Sequence, residues 1–349
     1  MRVKLKDICD VFNGRAYSDD ELLESGKTKV LRVGNFFNNS KYFYSDLQLE
    51  DNKYCEYNDL LYCWSASFGA FLCKEKEKCI YHYHIWKIAN FRNINKFYLY
   101  YQLVFITEQL KKSTHGSIMM HLTKENFENI EIDLPDRKTQ DKIVEILSGI
   151  DEQINRNNEV VKKLQVLGNT IYSKIMCQPK TKISLGDIAT MYQPETITSD
   201  KFIDDGQYPV YGAGGIIGFY DKCNHKDSEL MLSCRGICGK AEISLPNSFI
   251  IGNQMVIKTK DEKMKYFLYN YLSNADLSKI ETGSVQKQIT RTNLEKMPIM
   301  LPPIEVIRQH SDVLKNIYDM KTKIVLENTK LNSLKTKLLP LLINGQLII

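Results

Sequence analysis

Two short stretches hold the side chains best suited to chemistry. In SCRGICGK, residues 233–240, Arg235 and Lys240 flank Gly236 and Gly239; in SVQKQITR, residues 284–291, Ser284, Gln286, Lys287, Gln288 and Arg291 lie almost side by side. Glycine lets a backbone approach a phosphate, arginine suits the O6/N7 edge of guanine, and a glutamine amide suits the N6/N7 edge of adenine. Lys287 and Arg291 then suit phosphate oxygens, and Gln254, inside FIIGNQMVIK (249–258), adds a third amide. For any single one of these residues the other reading is an ordinary solvated surface.

Other chemistry is less well supported. Cys223, His225, Cys234 and Cys238 have metal-ligating types but lack paired CxxC spacing, so free, partly buried thiols are expected. YGAGGIIG (211–218) superficially resembles a nucleotide loop, yet its flanks supply no buried strand before and helix after, so a tight turn is expected. The Pro302-Pro303 pair is preceded by Leu301 and followed by Ile304, unlike the Asn/Asp-Pro-Pro-aromatic loop of an adenine methyltransferase, and no G-x-x-x-x-G-K-[ST] is present. Asp46, Glu50 and Asp51 offer the only hint of an acidic nuclease site.

The elements that position these residues come in two copies. GSIMMHLTKENFENIEIDLPD (116–136) and GSVQKQITRTNLEKMPIMLPP (283–303) match without gaps at Gly116/Gly283, Ser117/Ser284, Thr123/Thr290, Asn126/Asn293, Glu128/Glu295, Ile132/Ile299, Leu134/Leu301 and Pro135/Pro302. Unrelated segments of this length would share about one or two residues. KLKDICDVFNG (4–14) aligns with SLGDIATMYQP (184–194), and DLLYCWSASFGAF (59–71) with ELMLSCRGICGKA (229–241). The last alignment, carried forward, sets Ser65 against Arg235, Ala70 against Lys240 and His84 against Gln254. The first copy is thus the less basic one, and Arg15, Arg32, Ser117 and Lys124 are expected to share its anion contacts, with Trp64 and Trp86 as packing residues.

YHYHIWKI (81–88) and FIIGNQMVIK (249–258) have strand chemistry, while 96–112 and 263–280 read as helices packed on those strands. Each copy closes with Leu-Pro and a long polar helix. In the first helix a 4-3 apolar stripe runs from Ile143 through Leu147, Ile150, Ile154, Asn157, Val161 and Leu164 to Ile175; the second repeats it 167 residues on, from His310 to Leu342 through Lys321, Ile324, Asn328, Leu331, Lys335 and Leu338. Such heptads suit an antiparallel coiled coil in which Asn157 faces Asn328 and sets the register. The same register sets Ile154 against Leu331, Val161 against Ile324, Leu147 against Leu338 and Ile143 against Leu342. Lys321 and Lys335 would lie along Leu164 and Ile150 with their ammonium groups extended to water. The alternative is two amphipathic helices, each covering its own domain.

With 349 residues, 43% hydrophobic and 26% charged, the chain suits two globular domains. Its net charge of +5 discriminates little by itself. The nine scattered cysteines, the absence of a long apolar run and a start without a signal-like core suggest a reduced, cytoplasmic protein that does not enter membrane.

Two variable modules, each followed by a heptad helix introduced by Leu-Pro, resemble the specificity subunit of type I restriction-modification enzymes. The resemblance rests on YPVYGAGGIIGFYDK (208–222), SCRGICGK (233–240), the paired Gly-Ser…Thr…Asn…Leu-Pro segments and the terminal LLPLLINGQL. The first module departs from it, with VLRVGNFF (30–37) in place of YPVYGAGG. The fold implied is α+β, with target recognition domains at 1–135 and 180–302, joined by spacer helices at 136–179 and 303–349 in a pseudo-twofold repeat. The resemblance further implies a non-catalytic chain that grips a split sequence in double-stranded DNA and docks two methyltransferase subunits. Restriction-translocase subunits would join later, and those partners, not this chain, would use S-adenosylmethionine, ATP and Mg. A related defence system built on the same architecture is the alternative.

Overall fold

The computed structural model describes residues 1–38, 40–65, 67–113, 122–203, 206–283 and 286–347. The chain forms two compact units, one of Met1–Gln153 with Leu331–Ile349, the other of Ile154–Lys330.

In the first unit, the run LLYCWS (Leu60–Ser65) is apolar almost throughout because it is the buried inner strand of an antiparallel sheet. The sheet order is Asp10–Asn13, Ile85–Ala89, Leu60–Ser65, Ser67–Leu72. Helix Lys96–Ser113 packs on it, contributing Tyr98, Leu99, Tyr101 and Leu103 to a core with Leu60, Tyr62 and Trp86. A second, mixed sheet sets Thr28–Leu31 parallel to Cys79–Tyr81 and antiparallel to Phe43–Ser45. Cys55, Cys63, Cys73 and Cys79 are all buried there as free thiols.

The second unit repeats this plan. Ala189–Tyr192, Gln254–Thr259, Leu230–Ser233 and Ala241–Ile243 form the equivalent sheet in the equivalent order. Val11 pairs with Ile88 in one copy and Met191 with Ile257 in the other. The short terminal pairings correspond as well, Val3 with Ile132 and Ile183 with Ile299. The repeated Thr and Asn are a helix start in each copy: the N–H of Asn126 donates to Thr123 Oγ1 and that of Asn293 to Thr290 Oγ1, both at 3.2 Å.

The departure at residues 30–37 is local. Val30 pairs in parallel with Ile80 as Val210 does with Phe249, and only afterwards do the copies part. One continues into helix Val33–Phe37, the other turns at Gly212 into the hairpin with Gly215–Tyr220. The stretch at 263–280 is not one helix but Glu262–Met264, Lys265–Asn274 and Leu277–Ile280, interrupted where Ala275 turns extended and Asp276 caps the next turn through the N–H of Ser278. The run at 81–88 is not one strand: Tyr81 ends Cys79–Tyr81 and Ile85 begins the next, because the N–H of Ile85 bonds back to the carbonyl of His82 and closes a turn.

The closing helices are Arg137–Met176 and Ile304–Ile343, each 40 residues and offset by 167. In the second unit their segments run antiparallel: Asn157 Nδ2 donates to Asn328 Oδ1 at 2.8 Å, and Lys321 meets Gln165. Gly168 admits the Tyr318 ring, whose Oη would stand 3.3 Å from any Cβ there. In the first unit Lys335 Nζ bonds Asp151 at 2.5 Å, while Ile143 and Leu147 share a core with Leu339, Leu342 and Ile343.

The units divide after Gln153 and after Lys330, so a part of each helix contributes to each unit's core. One expectation for these helices changes. Lys321 does not extend to water: its ammonium lies 4.7 Å from the Tyr318 ring centroid and 5.9 Å from that of Tyr269, and burial pushes its pKa down to about 8. Lys335 is likewise held, by Asp151 and above Tyr101. No helix among the described residues is long and apolar enough to cross a membrane.

Candidate nucleic-acid interface

In the second unit the strands Leu230–Ser233 and Ala241–Ile243 are joined by a loop held on several sides. Gly236 (φ +78°) and Gly239 (φ +81°) take left-handed conformations that glycine adopts at no steric cost. The N–H of Gly239 donates to Ser233 O and that of Lys240 to Ser233 Oγ, both at 2.8 Å. A hairpin of Glu281–Thr282 with Gln288–Ile289 lies against it: Arg235 forms a β-bridge with Gln288, Ile289 N–H donates to Cys234 O at 3.0 Å, and Cys238 Sγ donates to Lys287 O at 3.0 Å. The tip of the 212–215 turn closes the third side, Ala213 Cβ standing 3.6 Å from where a Gly236 Cβ would be. Arg235, Lys240, Gln286, Lys287 and Gln288 are thereby gathered on one exposed surface although up to 53 residues apart in sequence (288 less 235).

Their charges are differently committed. The Arg235 guanidinium has no ion-pair partner among the described residues. Lys287 pairs with Glu281 at 2.8 Å, whose carboxylate raises its pKa, and Lys240 pairs loosely with Glu242 at 3.4 Å. Arg291 lies one helical turn from Glu295 and bonds it at 2.8 Å. Ser284, like Ser117 in the first copy, lies outside the described residues.

Gln254 is a correction. It is fully buried, its Nε2 donating to Gly212 O at 2.7 Å, so it braces the glycine turn from beneath and cannot reach a base edge. Its counterpart is also displaced by one residue: Cys63 pairs with Ile85 as Ser233 does with Gln254, so Ile85 and not His84 is equivalent, and both positions are interior. Similarly Tyr62 opposes Ala70 as Leu232 opposes Ala241, which sets Ala70 against Ala241 and leaves Lys240 opposite Gly69.

The first unit assembles a different surface. The turn at 82–84 stacks aromatic rings: Tyr83 and His84 centroids are 3.8 Å apart, His82 and His84 5.0 Å, Trp64 and His84 5.4 Å. Trp64 Nε1 donates to Tyr83 O at 2.9 Å and pins the turn to the strand that ends at Ser65. Trp86 is buried as expected, whereas Trp64 is only half-buried. Burial, with His84 and Arg32 nearby, pushes His82 down to about 4; burial and Arg32 lower His84 too. Both imidazoles are therefore neutral near pH 7, each with one donor and one acceptor nitrogen.

Arg32 lies over the Phe43 ring at 5.1 Å and, among the described residues, has no carboxylate partner. Arg15 is held by both oxygens of Glu21, at 2.7 and 2.9 Å, and Lys124 pairs with Glu128 at 3.5 Å, so these two are not idle cations. The sequence reading missed His82 and Tyr83, both inside the run taken for strand; the YHYH aromatic cluster was the available signal.

The remaining candidates do not converge. His225 is held between Asn224 and Tyr192, and Cys234 Sγ donates to backbone carbonyls; no group of three metal-ligating side chains is found among the described residues. Asp46 accepts from the N–H of Lys27 and Asp51 pairs with Lys78, in local structural roles.

The duplicated α+β chain thus carries two unlike exposed surfaces, one of arginine, lysine and glutamine around glycine turns, the other of stacked aromatic rings. The family profile described as "Type I restriction modification DNA specificity domain" matches residues 1–165 and again 179–336. The chain belongs to this family of type I restriction-modification specificity subunits. It is 25% identical over 339 residues to the specificity subunit of the type I restriction enzyme MjaVIII of Methanocaldococcus jannaschii, covering 83% of this chain and 79% of that one. A second relative in that organism, the putative MjaX specificity subunit, is 24% identical over 296 residues, covering 73% and 69%. Among solved structures, the S subunit of a type I restriction-modification system from M. genitalium superposes with a TM-score of 0.63 at 14% identity, covering 98% of this chain and 96% of that one, a likeness of fold.

Proposed function

We propose that this chain reads a bipartite, asymmetric sequence in double-stranded DNA for a type I restriction-modification assembly, one half with each module. The observation that carries this reading is the joining of the 234–240 loop to the strand pair Glu281–Thr282 and Gln288–Ile289, which brings Arg235, without an ion-pair partner among the described residues, to Gln288 and the exposed Gln286 near it. A guanidinium and two amides on one surface suit base edges in a major groove, and lysines around them suit phosphates. The first module's different surface, ring-rich and built around neutral His82 and His84, suits a different half-site.

The chain itself is non-catalytic in this reading. Two methyltransferase subunits dock on the long helices, restriction-translocase subunits join through the complex, and S-adenosylmethionine, ATP and Mg serve those partners. Duplication of helix as well as module supports two equivalent docking places. Mapping methylated adenines genome-wide in cells with and without this chain tests the proposal: a split motif that vanishes with the chain is expected. Cleavage of DNA by the purified chain with magnesium alone would overturn it.

A further inference from the structure

We propose that Ile237 reads the C5-methyl group of a thymine next to the base pair addressed by Arg235. The inference rests on the DNA-reading function above and adds a residue and a base feature to it. Ile237 is 64% exposed, an unusual place for a β-branched apolar side chain in a loop whose other members are two glycines, two cysteines, Arg235 and Lys240. The loop does not leave it loose. Gly236 and Gly239, both at positive φ, shape the turn on either side, and the loop's ends are fixed by hydrogen bonds from Cys234 N–H to Asn253 O, from Ile289 N–H to Cys234 O, from Cys238 Sγ to Lys287 O and from the N–H groups of Gly239 and Lys240 to Ser233. β-branching further restricts χ1, so the side chain is presented in a narrow range of directions.

Its neighbours indicate what it meets. Arg235, two residues earlier, bridges to Gln288, and exposed Ile216 and Ile217 follow the 212–215 turn whose tip touches Gly236. In the major groove thymine alone presents a methyl group, and apolar side chains are what recognise it. An apolar knob set among base-edge donors fits that feature better than it fits a phosphate or a polar edge. Among the described residues the corresponding hairpin of the first unit pairs Ser65 with Ser67, where the second unit has the 234–240 loop.

The test uses the full chain assembled with its methyltransferase partner and a duplex carrying the mapped site, with each thymine of the half-site replaced singly by deoxyuridine. At one thymine the wild type should bind the deoxyuridine duplex roughly fourfold more weakly, the factor equivalent to about 0.8 kcal/mol for one buried methyl group. Ile237→Ala should bind both duplexes equally, and Ile237→Val should keep most of the discrimination. A half-site in which no thymine methyl matters, or a penalty that persists in Ile237→Ala, overturns the proposal. So does an Ile237→Ala chain that loses the methyltransferase partner while its DNA preference is unchanged, since the contact is then to protein. If the wild-type assembly prefers no sequence at all, the failure lies with the DNA-reading function and not with Ile237.

Discussion

Replacing Asn157 and Asn328 by leucine, singly and together, probes the contact that sets the register of the helix pair. Asn157 is only 7% exposed and donates to Asn328 Oδ1 at 2.8 Å; Asn328 Nδ2 in turn donates to Asn158 Oδ1 at 3.0 Å. Asn328→Leu removes the acceptor of the buried Asn157 amide, whereas Asn157→Leu removes a donor from Asn328, which is half-buried and still donates to Asn158. Losing the hydrogen bond costs about 1–3 kcal/mol, offset in part by the apolar area that leucine buries, for a net loss of about 1–2 kcal/mol. In the double variant nothing polar is stranded, and paired leucines in such a seam are neutral to stabilising, by up to about 3 kcal/mol. The coupling energy of the cycle is then about 2–7 kcal/mol. Urea unfolding followed by far-UV circular dichroism measures it, and tryptophan fluorescence serves as an internal control because Trp64 and Trp86 are the chain's two tryptophans and both lie in the other unit. Additive single effects, with coupling below about 0.5 kcal/mol, would refute a direct amide contact between the helices.

Arg235→Ala should relax preference at one base pair at a cost of about 1–3 kcal/mol, measured by competition among duplexes varied at single positions; a uniform loss across sequences would assign the residue to phosphate. Gln254→Ala should instead lower stability without changing which base is preferred, since its amide braces Gly212 from inside. Lys287→Ala should reduce the slope of log affinity against log salt by about one, and an unchanged slope removes Lys287 from the contact set. Lys321 is depressed to about 8 from an ordinary 10.5 by burial, so between those values the unfolded chain holds the extra proton and stability must rise with pH. Lys321→Met should remove that rise relative to wild type in denaturation midpoints taken from pH 7 to 10; identical profiles would mean the ammonium is solvated.

Several features could be read directly from the sequence because they are periodic or local. The duplication, the Thr caps, the helices exactly 167 residues apart and the meeting of Asn157 with Asn328 depend on spacing along the chain, and spacing is what a sequence states. The surfaces that would touch DNA were only half legible. Residue type nominated Arg235, Gln286, Lys287 and Gln288, but that the 234–240 loop meets the 281–289 hairpin is a long-range bridge no local signal encodes. Gln254, nominated by residue type, is fully buried because its strand pairs it with Ser233 and its amide turns inward to Gly212 O, neighbours the sequence does not name. Lys321 between two tyrosines, Arg15 clasped by Glu21 and Ile237 held out in water were likewise decided by folding. Burial and pairing belong to the neighbours a side chain acquires in space, and the order of residues names the side chain without naming those neighbours.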